Sequence, residues 1–364
     1  MVMTEHWMSE LQRQVNARID AFFHQKRTRF LALWTARTDD ILEQRAQHAH
    51  GHEARTADVE LVDEIFALTQ RGGKRLRPAL AYAASRAVGG EPSMDSVAEL
   101  GCSLELLQTY LLIHDDWMDR DESRRGGPSV HRVFADRHRD EHLGAALAVL
   151  AGDLACTFAW ELFWQTPFAK SSQRSAMQLF GEMQEEVVLG QYMDLVRHPD
   201  VWKVEDLKTG SYTVRGPVRL GAMLGGGTDA QQATLEQYAR PLGVLFQLRD
   251  DMLGTFGSEA QTGKPTGNDV REGKRTSLIR FAENHMGEES LRVLRTIVGN
   301  AHATDEQIEH VKAMLDECGA VAWVESSIEQ LLHKSCAALD PGRLREDGIA
   351  MLRQAAELIA RRTL

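Results

Sequence analysis

The chain has 364 residues, 43% of them hydrophobic and 26% charged, with a net charge of −11 and a pI near 5.7. The composition is that of a globular protein. Its acidity argues against a nucleic-acid binder, which needs a basic face against phosphate, so an anionic substrate would have to be met by local cations or bridging metal ions.

Residues 1–50 read as an amphipathic helical extension rich in Arg, His and Gln, and 51–364 as one domain without a linker. Glu5, Glu10 and Arg13 interrupt any signal-peptide core. No uninterrupted apolar run reaches the length of a membrane span. The four cysteines, Cys102, Cys156, Cys318 and Cys336, form no CxxC pair and read as reduced thiols. The expectation is a cytoplasmic protein.

From residue 55 onward the apolar positions recur at helical period. Val59, Leu61, Val62, Ile65, Phe66 and Leu68 form a broad stripe within 55–70, and similar patterns occupy 97–113, 143–166, 173–195, 229–256 and 304–333. Glycine and proline punctuation falls between them, at 72–73, 89–90, 126–128, 225–227 and 263–265. Alternating strand patterns are essentially lacking. The predicted fold class is all-α, a single large many-helix bundle around a deep central cavity.

Two acidic clusters follow apolar runs. His114-Asp115-Asp116-Trp117-Met118-Asp119 ends the run from Leu104 to Ile113. On a helix Asp115 and Asp119 leave one face at i and i+4, so both carboxylates can reach the same metals. A solvated acidic helix end is the competing reading of that pair, although a helix C-terminus disfavours clustered negative charge. Asp250-Asp251 follows Leu242 to Leu248. Facing helices that each deliver carboxylates make a multi-magnesium site, and magnesium so held takes phosphate oxygens. Cations stand in the order a diphosphate would need: Lys74, Arg75 and Arg77 behind Gly72-Gly73, then Arg124-Arg125, Lys208, Lys264 and Lys274.

The series GGKRLRP at 72–78, DDWMD at 115–119, RRG at 124–126, KTGSYT at 208–213, FQLRDD at 246–251 and TGKPTGND…GKRT from 262 to 276 resembles the trans-isoprenyl diphosphate synthases, or polyprenyl synthetases. The resemblance is close over about 60–280 and looser beyond. It implies a magnesium-dependent prenyltransferase that joins isopentenyl diphosphate to an allylic diphosphate, with three magnesium ions per active site and a homodimeric assembly. By that resemblance Asp115, Asp119 and Asp250 bind metal, supported by Asp116 and Asp251. Lys74, Arg77, Arg125 and Gln108 hold isopentenyl diphosphate, Arg124, Lys208 and Lys264 grip the allylic diphosphate, and Lys274 adds further charge. Thr209 and Gln247 sit near the developing carbocation or the departing diphosphate.

The second motif departs from the family pattern, because Gly254 stands where the last aspartate of DDxxD is usual. Asp269 is near enough in sequence to compensate. Product length should depend on residues preceding Asp115. Leu111 and Leu107 lie one and two turns below it, and Tyr110 is the bulky candidate floor. One aromatic at that position, with no insertion in the acidic motif, resembles the short-chain geranylgeranyl diphosphate synthases, with a farnesyl or longer-chain enzyme as the alternative. A class I terpene cyclase fits poorly, since Glu272 occupies the place of a required Ser or Thr and a cyclase needs no GGKRLRP segment. A non-catalytic synthase subunit is opposed by the intact first motif and Asp250.

Overall fold

The computed structural model describes residues 6–41, 59–258 and 266–361, which are almost entirely helical. They form two compact units, one of Met1–Ala79 with Ser93–Pro167, the other of Leu80–Pro92 with Phe168–Leu364.

The first unit contains α1 (His6–Ile41), α2 (Glu60–Gln70), the first turn of α3 (Leu76–Ala87) and α4 (Met94–Met118). A two-residue hairpin, β1 (Ser123–Arg124) with β2 (Gly127–Pro128), precedes α5 (Val130–His138) and α6 (Glu141–Gln165). On α1, Leu11, Val15, Ile19 and Phe22 recur every three or four residues and are all buried. Phe22 meets Phe158 of α6 edge to face at 5.4 Å. The segment anticipated as an extension is described over His6–Ile41 and contributes to this unit's core. Each such side chain stabilises by about 1.5–3 kcal/mol on burial.

Helix α4 is capped by Ser93, whose hydroxyl accepts from the Ser96 amide at 3.2 Å. It is buried at almost every position from Val97 to Leu107, as a central helix must be. Among the described residues one helix, α6, is long and apolar enough to cross a membrane by length and composition alone, although Asp153 interrupts its apolar run. Gly144, Ala148, Ala151, Gly152, Ala155 and Ala159 give α6 a small-residue face buried within the unit, while Leu143, Leu150 and Trp164 of the same helix are exposed.

The second unit contains the rest of α3, then α7 (Lys170–Leu195), α8 (Val201–Glu205), a π-helix (Asp206–Arg215), α9 (Gly216–Leu224) and α10 (Asp229–Phe256). It continues through α11 (Asn268–Glu272), α12 (Ser277–His285), α13 (Glu288–Ile297), α14 (Asp305–Glu317), α15 (Ala320–Ala337) and α16 (Glu346–Ala360). A Thr228/Gln231 capping box starts α10. Its buried stripe of Leu235, Tyr238, Leu242, Leu245, Leu248 and Met252 is tied to α16 by the Tyr238 hydroxyl, which donates to the Leu352 carbonyl at 2.7 Å. Arg249 donates twice to Glu325 of α15, at 2.9 and 3.1 Å. The single pattern read over 304–333 is two helices, because Gly319 turns left-handed at φ 86° between them.

Candidate functional site

In the first unit the acidic motif occupies the end of α4. Asp119 is the cap, its amide donating to the Asp115 carbonyl at 2.8 Å. Asp115 and Asp119 are half-buried one turn apart, while Asp116 is fully buried. The chain then reverses through Arg125 and Gly126, at φ 52° and 71°. Two residues of positive φ between paired strands make the tight turn that suits strand twist.

That turn returns Arg124 onto the motif. Its Nε donates to Asp116 Oδ1 at 2.7 Å and its Nη2 to Asp121 Oδ2 at 3.1 Å, with Asp115 Oδ2 at 3.8 Å. Arg124 therefore serves the acidic motif as an internal counter-ion. Burial pushes the Asp116 carboxyl up to about 6 despite the opposing pull of Arg124. Asp116 Oδ2 is buried without a hydrogen-bond partner.

A cationic cluster lies in the same unit. Gly72 and Gly73 have φ of 91° and 125°, and the Gly72 carbonyl accepts from Arg125 Nη1 at 3.1 Å. The Arg71 Nη1 group donates to the Pro128 carbonyl at 2.5 Å, so the glycine loop is fastened to the hairpin at two points. Arg75 does not face a ligand. It is 3% exposed and bonded to Asn16, Glu105 and the Thr69 carbonyl at 2.9, 2.6 and 3.0 Å. Desolvation holds the Arg125 guanidinium below its usual range, with Arg77, Arg75 and Arg124 adding repulsion against the pull of Glu105. Desolvated arginines that repel one another form a site for an anion. Lys74 is exposed, Arg77 buried, and Gln108 half-buried on α4.

Toward the middle of α4, Leu107 is buried and Tyr110 and Leu111 are half-buried. Tyr110 packs edge to face on His114 at 5.1 Å. His114 Nε2 lies 3.1 Å from the Val149 carbonyl, and a Cβ at Gly152 would stand 2.1 Å from that nitrogen. Sequence reasoning missed His114, whose sign was the glycine on α6 that admits its ring.

In the second unit Asp250 is exposed and Asp251 is buried. Asp251 Oδ2 accepts from the Ser277 amide and hydroxyl at 2.8 and 2.7 Å, and Oδ1 from Gln247 Nε2 at 2.8 Å. Burial raises the Asp251 carboxyl to about 6, partly offset by these bonds. Asp251 thus braces α10 against the start of α12. Gln247 Oε1 is buried without a partner. Lys208 and Thr209 lie in the π-helix, a form that concentrates at functional sites. Lys208 is held by Asp194 Oδ2 at 2.7 Å. Asp194 also escaped the sequence reading, though it lies one turn from Gly190 on α7. Lys274 pairs with Glu272 at 2.8 Å and Asp269 at 3.4 Å. Lys264 lies outside the described residues.

The Glu205 carboxyl, at the end of α8, is pushed from 4.5 up to about 9 by burial, with Asp251 and Asp194 adding to the rise and Arg280 opposing it. A raised folded value means the folded state binds the proton more tightly, so stability present below about pH 4 is lost as pH rises toward 9. Glu205→Gln removes that titration. Urea unfolding should show the variant matching the parent near pH 4 and exceeding it at pH 9.

All the metal-competent side chains above are carboxylates, which suit a hard cation such as magnesium. Among the described residues no three histidine, cysteine or carboxylate side chains converge into a ready-made coordination shell. The unpartnered buried acceptors on Asp116 and Gln247 are compatible with bound water or metal nearby.

Residues 59–315 match the family model for polyprenyl synthetase. A geranylgeranyl diphosphate synthase of Methanosarcina mazei is 30% identical over 88% of this chain and 97% of its own length. A geranylfarnesyl diphosphate synthase of Aeropyrum pernix is 31% identical over 71% and 80%. Among solved structures, a geranylgeranyl pyrophosphate synthase of Corynebacterium glutamicum, complexed with isoprenyl diphosphate and magnesium, superposes with a TM-score of 0.85 at 30% identity, covering 97% of this chain and 99% of that one.

Proposed function

The chain belongs to the polyprenyl synthetase family, a family of trans-prenyltransferases, and on that premise we propose that it condenses isopentenyl diphosphate with dimethylallyl, geranyl and farnesyl diphosphates to give geranylgeranyl diphosphate. The observation that carries the reading is the paired equipment of the first unit: two carboxylates one turn apart on α4 and, beside them, the desolvated cluster of Arg77 and Arg125 at the Gly72-Gly73 loop.

Asp115 and Asp119 hold magnesium against the allylic diphosphate, and Asp250 is the corresponding ligand of the second unit. Magnesium needs only one or two carboxylates, with waters and substrate phosphates completing the shell. Bound there, it stabilises the charge that develops on the departing diphosphate. Lys74, Arg77, Gln108 and Arg125 bind isopentenyl diphosphate. Lys208 and Lys264 neutralise the leaving group, with Lys274 adding charge nearby. Arg124, which the resemblance has gripping the allylic diphosphate, keeps Asp116 and Asp121 in place and adds positive charge for that diphosphate beside Asp115.

The allylic carbon–oxygen bond breaks, and the double bond of isopentenyl diphosphate attacks the cation. A proton is then lost to the released diphosphate. Gln247 and Thr209 present oxygens to the cation, and apolar helix walls exclude water.

The relatives' names differ in product length, and the C20 assignment rests on Tyr110. Braced by His114, it closes the path beneath Asp115 past Leu111 and Leu107. Tyr110→Ala is expected to shift the main product at least one isoprene unit longer, read by mass spectrometry. An unchanged distribution moves the floor to another residue.

We place the enzyme in the cytoplasm as a homodimer. Its cysteines are free thiols, as a reducing compartment maintains. Exposed Leu143, Leu150 and Trp164 on α6, and Val188, Leu189 and Tyr192 on α7, offer apolar surface for a second copy.

The deciding experiment incubates the protein with magnesium, isopentenyl diphosphate and each allylic diphosphate, followed by product analysis. A C20 diphosphate is expected. A C15 or longer product keeps the prenyltransferase and discards the chain-length argument. A hydrocarbon formed without isopentenyl diphosphate identifies a cyclase, and no turnover indicates a non-catalytic subunit.

A further inference from the structure

The helix that carries Lys208 runs without a break from α8 through the π-helix into α9. Glu205 and Gly216, which flank the π-helix, both keep right-handed helical backbone, at φ −62° and −59°. Ten consecutive residues in the π form are unusual, because that geometry mostly occurs as single turns. Two residues favour it here. Pro217, at the start of α9, has no amide to bond back into the preceding turn. Gly210 leaves the helix surface open, and a Cβ there would stand 3.2 Å from Asp206 Oδ1.

Asp206 and Arg215, the first and last residues of the π-helix, form an ion pair. Arg215 Nη1 donates to Asp206 Oδ1 at 2.7 Å and Oδ2 at 3.0 Å, and Nη2 donates to Glu186 of α7 at 3.3 Å. The Arg215 side chain is 15% exposed, so the contact is largely sheltered from water. In an α-helix residues nine apart lie about two and a half turns from each other, on opposite faces. The wider π turn, closed by i→i+5 bonds, takes roughly four to five residues, so about two turns bring residue i+9 back over residue i. The pair therefore belongs to the π register and is broken by the α register.

Register also decides where Lys208 sits. A Cβ at Gly190 of α7 would meet the Lys208 amide nitrogen at 2.4 Å and its Cα at 2.7 Å, so the backbone at 208 is pressed against α7. Gly243 of α10 admits the same segment, its Cβ position lying 3.5 Å from Gly210 Cα. Rewinding 206–215 as an α-helix would rotate residue 208 about the axis relative to α9. It would spoil the fit to Gly190 and draw the ammonium off Asp194, which holds it at 2.7 Å.

We propose that Asp206 and Arg215 are positioning residues, whose ion pair locks the π register and so places the Lys208 ammonium for the allylic diphosphate. The role of Lys208 rests on the function proposed above, whereas the register lock does not.

Thermal unfolding without substrate reads the lock. Asp206→Asn and Arg215→Gln should each lower the midpoint, and the double variant should fall no further than the worse of the two, because partners in one ion pair do not act independently. Losses that add would mean the two side chains do not meet, and would overturn the lock.

Steady-state kinetics reads the positioning. In Arg215→Gln, kcat/KM for the allylic diphosphate should fall about ten-fold or more, since a misplacement of about 1 Å can cost about 10²-fold. KM for isopentenyl diphosphate should keep its parent value. Arg215→Lys, which keeps a charge for Asp206, should recover part of the loss. On a Lys208→Ala background Arg215→Gln should add nothing further. A loss shared equally by both substrates, or a full further loss on that background, would mean that Arg215 serves folding alone and would sink the positioning role. A parent without turnover strikes the functional reading instead, and the unfolding cycle still decides the lock.

Discussion

Asp115→Ala should lower turnover by at least about a thousand-fold at saturating magnesium, which corresponds to about 4 kcal/mol of lost transition-state stabilisation. The size of the effect follows from the position of the residue. Asp115 projects from the last turn of α4 with Asp119 one turn beyond, and its side chain is 23% exposed. It is open to a ligand, while neighbouring Asp116 is sealed at 0%. Losing one of two carboxylates removes a metal ligand without opening a cavity. The unfolding midpoint should therefore stay near the parent value, so that a kinetic collapse reports chemistry rather than folding. Steady-state kinetics with product analysis decides the matter. A variant keeping more than about a tenth of the parent rate would sink the assignment, because a metal ligand on a departing diphosphate is worth far more than that.

The helices were legible because apolar spacing is a local signal. The stretch read over 229–256 coincides with α10, and the expected 143–166 is α6 within two residues. The motifs that place acids and bases were legible for the same reason, since a turn of helix fixes which side chains share a face. What the sequence withheld depends on contacts between distant segments. Arg75 looks like a ligand-facing cation in GGKRLRP, yet it is sealed against Glu105, thirty positions later. Gly254 read as a missing acid with Asp269 near enough in sequence to compensate, and the fold adds that the Asp269 carboxylate lies against Gly254. The resemblance already set Asp116 and Asp251 apart as supporting residues, and the structure gives the physical reason. Asp116 and Asp251 are braces, bonded to Arg124 and to Ser277, while Asp115 and Asp250 remain more accessible.

That division of labour gives Arg124 an effect on folding as large as the effect of Asp115 on turnover. Arg124→Met leaves Asp116 and Asp121, which are 0% and 7% exposed, without their shared cation. Removing one partner of a buried ion pair costs about 3–5 kcal/mol, because the remaining charge has neither water nor counter-ion. The loss should depend on pH in a definite direction. In the parent, burial raises the Asp116 carboxyl to about 6 and Arg124 pulls it down. Without that pull the folded value climbs further above its ordinary value of 3.8. The folded state then binds the proton more tightly over a wider range, and stability continues to fall as pH rises beyond the point where the parent levels off. Urea unfolding at pH 5 and pH 8 should accordingly show a small deficit at the lower pH and the full deficit at the higher. Adding Asp116→Asn to Arg124→Met removes the stranded charge and should return much of the loss at pH 8. A deficit that is equal at both pH values, or one that Asp116→Asn does not relieve, would mean that Arg124 contributes through packing of its side chain rather than as the counter-ion that keeps the acidic motif folded.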